Sequence, residues 1–412
     1  MRTTSHIVQF ILAAVIVIAV GGLTGWYYFI HHQIANTAAS DAARGTNTPS
    51  FGGSTGSTFQ NSSGSIGTDT TDQNESSSGQ KAAPQLWHVT KSPVAGFGFA
   101  STTPGLYYAE VSSGNILQAD PRTSANDRLT NTLMPKVYEA HFSTDGSAVF
   151  RLANGNTLQT FAGVLASTTE TIDSTSTPRT LKGLYLAEDI ASISVAPSRS
   201  LVYALMNPDG GSVIVRSDWT GASQKTLLSS ALSGWNIYTP EDGTVVIVQK
   251  PADNVAGFAY TLGTSGTLSS YVRNVPGLTV LPRTGGARLY GSAGNTLELY
   301  AQVSADAAPV HLPIGTTADK CVWAKGSALV AYCAVPRINP GAGFLSARAQ
   351  GSRHSADAWY TVDVSSGTAE LLYAPDPGLA LDVENPTIDS NNAYIAFSNG
   401  ADKSLWMLRI TK

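Results

Sequence analysis

A short apolar-alternating run, a tight polar turn and a stronger β-branched or aromatic run recur seven times between residues 94 and 400. The units are Val94–Glu110 (VAGFGFASTTPGLYYAE), Glu139–Asn154, Ser192–Asn207 (SISVAPSRSLVYALMN), Trp235–Lys250 (WNIYTPEDGTVVIVQK), Leu278–Ala293, Cys321–Pro336 and Asn385–Gly400. Period-two alternation reads as β-strand, and turn residues between two such runs read as a hairpin. The turns at Thr103, Asp145, Ser198, Asp242, Gly285, Gly326 and Asn391 stand roughly 41 to 65 residues apart. The commonest gap is near the 40–45 residues of a four-stranded propeller blade. A third strand follows most hairpins, such as Gly211–Trp219, Gly257–Gly263, Thr296–Val303 or Ala358–Val364, and a fourth often follows, such as Lys225–Ser229 or Glu370–Ala374.

The seventh hairpin is followed by one more strand, Ser404–Ile410, and the first is preceded by an orphan, Leu86–Thr90. If the orphan completes the last blade, no sheet edge is left open and the count closes at seven. With this spacing the chain resembles the bacterial seven-bladed β-propellers of the TolB-like or YVTN/WD40-like kind, from about Leu86 to Lys412. The resemblance rests on repeat spacing, because no Gly-His…Trp-Asp signature is present. It implies an all-β fold, a seven-bladed β-propeller, and leaves function open, since propellers host many unrelated activities. The alternative is a pair of β-sandwiches, which the persistence of the period across the whole head disfavours.

Ile7 to Ile30 carries no charge and, as a helix, is roughly 36 Å long, enough to cross a bilayer core. Trp26, Tyr27 and Tyr28 stand at its far end, where amphipathic rings favour the lipid–water boundary. Arg2 lies on the near side, and no Lys or Arg follows the segment until Arg44. This asymmetry predicts a single-pass anchor with the N-terminus cytoplasmic and the rest outside. The rival is a cleaved signal peptide ending near Ala38–Ser40, but its apolar core would be unusually long. Gly21 and Gly25 have GxxxG spacing, which a glycine-tolerant membrane helix also explains. Residues 35–84 are almost all Ser, Thr, Gly, Asn, Asp and Ala, too polar to offset ordering entropy. The predicted organisation is a cytoplasmic stub (1–6), a transmembrane helix (7–30), a disordered linker (31–84) and a propeller domain (85–412). Within the linker, sequons at Asn61 and Asn74 and the G-x-S-x-G match at Gly52–Gly56 are attributed to low complexity, since the latter motif needs a strand–turn–helix around it.

Charged residues make up 13 % of the chain and the net charge is −4, which gives no reason to expect nucleic acid. The two cysteines, Cys321 and Cys333, flank the turn of the sixth hairpin and fall opposite each other in a hairpin centred near Ser327. Directly opposed residues lie within disulfide reach, and an extracytoplasmic location favours the bond over two buried thiols. Neither a metal site nor a cofactor motif is found: the seven histidines are scattered, and no phosphate-cradling loop appears in the head. Ser217–Gly221 approaches a sialidase-type Asp box without matching it. Asp382, Glu384 and Asp389 cluster before the seventh hairpin, where they could face the central channel or hold a cation; acidic turn residues are more often solvated.

The insertion Arg337–Asp357 (RINPGAGFLSARAQGSRHSAD) is longer than a usual hairpin loop. It carries Arg337, Arg348, Arg353 and His354 around the apolar pair Phe344–Leu345. This reads either as a basic, aromatic-tipped loop that docks a partner or anionic envelope polymer, or as a disordered excursion kept soluble by its arginines. A second long connection, Ala166–Pro178, is polar and reads as flexible. The leading functional expectation is a non-enzymatic surface propeller that binds an envelope protein or polysaccharide. The alternatives are a propeller-type hydrolase or lyase with its site at the central channel, and a structural subunit of a surface appendage.

Overall fold

In most hairpins the second strand reads as a largely apolar run, and the fold explains why. Strands such as Leu201–Met206 (LVYALM) and Val245–Gln249 (VVIVQ) are buried on both faces because each lies between two neighbouring sheets. The computed structural model describes residues 84–101, 105–155, 157–166, 178–196 and 199–411. These form seven four-stranded antiparallel sheets, one for each predicted hairpin. Of the seven turn positions, Thr103 and Ser198 lie outside the described residues, as do the predicted membrane segment 7–30, residues 31–83 of the linker and residues 167–177 of the polar connection. Among the described residues, no helix is long and apolar enough to cross a membrane.

The innermost strands of blades one to seven are Val94–Phe99, Val137–Phe142, Ile190–Val195, Trp235–Tyr238, Thr279–Pro282, Cys321–Trp323 and Val383–Ile388. Successive blades touch around the ring, and Val383–Ile388 closes it by meeting Val94–Phe99. The core is therefore a set of wedges between blades. Tyr107 and Ile116 meet Phe150 and Phe161 in one wedge; Trp359 meets Ile395, Phe397 and Leu408 in another. The blades approach closely: a Cβ on Gly96 would lie 1.9 Å from the Ala140 carbonyl oxygen, so only glycine fits there. Outer strands such as Asn126–Arg128 and Val310–His311 are short and exposed, which blunts the sheet edges.

Closure follows the predicted scheme. Leu86–Thr90 is the outer strand of blade seven and pairs antiparallel with Leu405–Arg409, in the register Leu86↔Leu408, Trp87↔Met407, His88↔Trp406. Trp87 is buried there with Met407 and Leu405, and the His88 and Trp406 rings stack with centroids 4.1 Å apart. In blade six, Cys321 pairs with Cys333 at a Cα separation of 4.0 Å, and their sulfurs are at bonding distance. Predicted and observed register agree.

Candidate functional site at the channel mouth

The blade-six insertion folds back over one end of the central channel. Phe344–Ala349 forms a short helix whose first residues, Phe344 and Leu345, pack on Ala293 and Leu297 of blade five. Phe344 is only 1 % exposed, so the apolar pair is not the solvent-facing tip the sequence suggested. Apolar residues in a polar loop need cover, and blade five supplies it. The Asp253 carboxylate, from blade four, accepts the amides of Leu345 and Ser346 at 3.0 and 2.8 Å. It thereby satisfies two amides that the helix leaves free. Burial pushes the Asp253 carboxyl up, but these hydrogen bonds outweigh it and hold the group below its usual range.

Of the basic residues of the insertion, Arg348 is partly buried, while Arg337, Arg353 and His354 are exposed. Arg348 donates to Asp319 at 2.7 Å and to the Val383 carbonyl at 3.0 Å, with its Nε 3.4 Å from Asp382. Burial alone would lower the Arg348 pKa, but Asp319 and Asp382 raise it. Arg337 donates to the carbonyls of Leu379 and Pro375, and Arg353 to those of Pro340 and Ala342. His354 Nδ1 lies 3.1 Å from Asp382 Oδ2. The insertion is thus not a structureless excursion, and its apolar pair is buried while Arg337, Arg353 and His354 stay exposed. Its cations meet the chain's own carbonyls and carboxylates, and it straps blade six to blades four, five and seven.

Beneath the strap lies an ionic cage that has no local sequence signal. Lys320, fully buried, donates from Nζ to Asp357 Oδ2 (2.6 Å), Asp382 Oδ1 (2.5 Å), Ser355 Oγ (3.0 Å) and the Val383 carbonyl (3.1 Å). A buried charge requires this degree of pairing. Burial pushes the Asp382 carboxyl up; the charges of Lys320 and Arg348 hold it below its ordinary value. The three acidic residues singled out before the seventh hairpin have separate fates. Asp382 belongs to the cage, and Asp389 accepts the amides of Ala393 and Tyr394 in its own turn, so neither is solvated. Glu384 alone lines the channel mouth, where it pairs with Lys403 at 2.5 Å.

The strap roofs a cavity of about 530 Å³. Its walls come from the innermost strands of blades four, five and seven, with Asp319, Leu345 and Arg348 above. Four lining side chains capable of donating, those of Asn236, Tyr238, Lys250 and Asn385, have no hydrogen-bond partner among the described residues. Burial, reinforced by the Asp319 charge, pushes the Tyr238 phenol up, so it stays a neutral donor. Asn385 sits in a β-bulge between Glu384 and Thr387 with φ +51°, immediately before Pro386. A residue preceding proline is driven towards extended backbone, so this conformation is costly and is imposed by its surroundings. The Asn-Pro pair was a legible sign of a break in the strand.

Tyr238 and Asn385 also line a second cavity of about 370 Å³ deeper in the channel. There His141 Nε2 lies 2.9 Å from Glu139 Oε1, and Arg151 binds the other Glu139 oxygen. Burial pushes Glu139 up, yet the His141 hydrogen bond and the charges of His141 and Arg151 bring it down to about 2. Around a separate cavity on the channel's other face, Lys325 of blade six pairs with Glu241 of blade four at 2.8 Å. Among the described residues, no group of three His, Cys, Asp or Glu side chains has the arrangement of a metal site.

This architecture makes the chain a seven-bladed β-propeller protein. No protein-family model matches it, and no curated protein does. Solved structures that resemble it include an oligogalacturonate lyase from Vibrio parahaemolyticus, at 11 % identity over 81 % of this chain and 95 % of that one, with a TM-score of 0.48. A virginiamycin B lyase from Staphylococcus aureus is 14 % identical over 79 % of this chain and 99 % of its own, with a TM-score of 0.48. The hydrazine synthase of Kuenenia stuttgartiensis is 11 % identical over 78 % and 97 %, with a TM-score of 0.50. At such identities the likeness shows the fold alone.

Proposed function

We propose that this chain is a membrane-anchored, extracytoplasmic propeller that binds an envelope or surface partner at the channel mouth beneath the blade-six strap. The observation that carries the reading is the convergence of unpartnered polar side chains on one roofed cavity. Asn236, Tyr238, Lys250 and Asn385 line it from blades four and seven. Its volume of about 530 Å³ lies within the range of small-molecule sites, which are concave and carry a few placed polar groups. Asn236 and Tyr238 are half-buried and Lys250 and Asn385 exposed, so all four are open to an occupant that can hydrogen-bond to them. The strap supports the reading by fixing the cavity's roof through contacts to three other blades, so the site is preformed.

Amide exchange on the full chain in detergent tests this, with a solubilised envelope polysaccharide fraction as probe. Binding should protect residues 235–238 and 383–388, and Ala349→Trp, which fills the mouth from an exposed position on the strap, should abolish the protection. Protection confined to the outer strands, or none, would refute the channel-mouth site. A second reading, a hydrolase or lyase, is favoured by the imidazole–carboxylate pair His141–Glu139 beside the deeper cavity, an arrangement that can orient a general base. Release of shortened saccharides in the same incubation, lost in His141→Ala, would establish that reading instead.

A further inference from the structure

Resting on the channel-mouth reading, we infer that the occupant is a saccharide carrying a carboxylate, held by the exposed Lys250 and Asn385 and by the half-buried Tyr238 and Asn236. Charge pairing in the wall points this way. Each carboxylate lining the cavity already faces a cation of the chain: Asp319 meets Arg348 at 2.7 Å, and Glu384 meets Lys403 at 2.5 Å. Lys250 is exposed and has no acidic partner among the described residues, so one cation at this mouth is left for a ligand. The other free groups are neutral and can donate: two side-chain amides and a phenol that burial keeps protonated.

A ligand matched to that set is rich in acceptors and singly anionic where it meets Lys250. The rest of the lining fits a sugar ring. Half-buried Pro251 and exposed Ala349 offer an apolar surface for a C–H face, while the paired oxygens of Asp319 and Glu384 can still accept from hydroxyl groups. An alkyl carboxylate would satisfy the lysine and leave the amides and the phenol unmatched. A neutral sugar would satisfy those donors and leave the lysine unanswered.

Calorimetric titration of the full chain in detergent tests the inference. Three probes are used: a tetrasaccharide bearing uronate carboxylates, the same tetrasaccharide with its carboxyls reduced to alcohols, and a glycerol phosphate oligomer. The uronate probe should bind, and its reduced counterpart should bind about tenfold or more weakly, as for loss of a charged hydrogen bond. Lys250→Ala should remove that discrimination and Lys250→Arg should retain it; the position is exposed, so neither change touches packing. Equal binding of the charged and reduced probes, both lost in Ala349→Trp, would overturn the acidic class and leave the channel-mouth site standing. Binding that survives Ala349→Trp would overturn the site itself. Binding of the glycerol phosphate oligomer alone, or of no probe, would overturn the saccharide assignment.

Discussion

Asp253 and Leu345 lie 92 residues apart, yet the carboxylate of one accepts the backbone amide of the other at 3.0 Å. This contact and the burial of Phe344 hold the strap over the cavity. Asp253→Ala should cost about 1 kcal/mol, the usual worth of a helix cap. Phe344→Ala should cost about 3–5 kcal/mol as a large-to-small core change. In both variants amide exchange should rise first in residues 344–349 and only later in the blades. Uniform exchange across the head would show that the strap does not open separately.

Ring closure depends on the N-terminal strand. A chain beginning at Ser92 lacks Trp87 and Val89, both buried, and exposes the strand Leu405–Arg409 as a new edge. Burial of two such side chains is worth about 3–6 kcal/mol, so this chain should melt markedly earlier and aggregate. A chain beginning at Ala82 keeps the strand and should melt like the full head. Equal melting of the two would disprove closure by Leu86–Thr90.

Thiol labelling of the native, non-reduced head should detect no free cysteine. A cross-link across 12 residues is worth about 3 kcal/mol through the unfolded chain, and Cys333→Ala should lower the melting temperature accordingly. Two reactive thiols and an unchanged melt would contradict the pairing.

Lys320→Met replaces the caged ammonium with a side chain of similar length and leaves Asp357 and Asp382 buried without it. Removing one partner of a buried ion pair costs about 3–5 kcal/mol. Chemical denaturation should report a loss of that size, centred on blades six and seven. A loss no larger than that of a surface substitution would show the cage to be energetically idle.

Glu139 predicts a pH dependence. Its folded pKa of about 2 lies below the ordinary glutamate value of 4.5, so the unfolded chain binds the proton more readily. The stabilisation is therefore complete above about 4.5 and is lost as pH falls through about 2. In Glu139→Gln, the denaturation midpoint should fall less steeply over that window than in the parent. Parallel slopes would remove Glu139 from the acid response.

The blade count, the closing strand and the cysteine register were legible because each is written locally. Alternation fixes which face a side chain takes, and the turn residues at Asp145 or Asp242 fix the hairpins. The strap and cage were not legible, since their meaning lies in partners far along the chain. Lys320 reads as one more polar residue before a strand until Asp357 and Asp382, 37 and 62 residues on, are brought to it. The arginines of residues 337–353 advertise a basic surface, and only the three-dimensional arrangement shows carbonyls and carboxylates already waiting for them. Nor could Tyr238 be told from any aromatic strand residue, because the alternation that placed it in a sheet says nothing of the channel.

The pairing of Leu86 with Leu408 also sets a timetable. The first strand of the head to be synthesised has its partner in the strand Leu405–Arg409, beyond the other six blades, so those blades can form while the seventh waits. Until the C-terminal strand arrives, Trp87 has no wedge to enter and the ring has an open flank. Contacts this distant in sequence are slow to form and leave apolar surface uncovered in the interval. Loss of the strand Leu405–Arg409 should therefore act less like a local defect than like an arrest, holding the whole ring in its unfinished state.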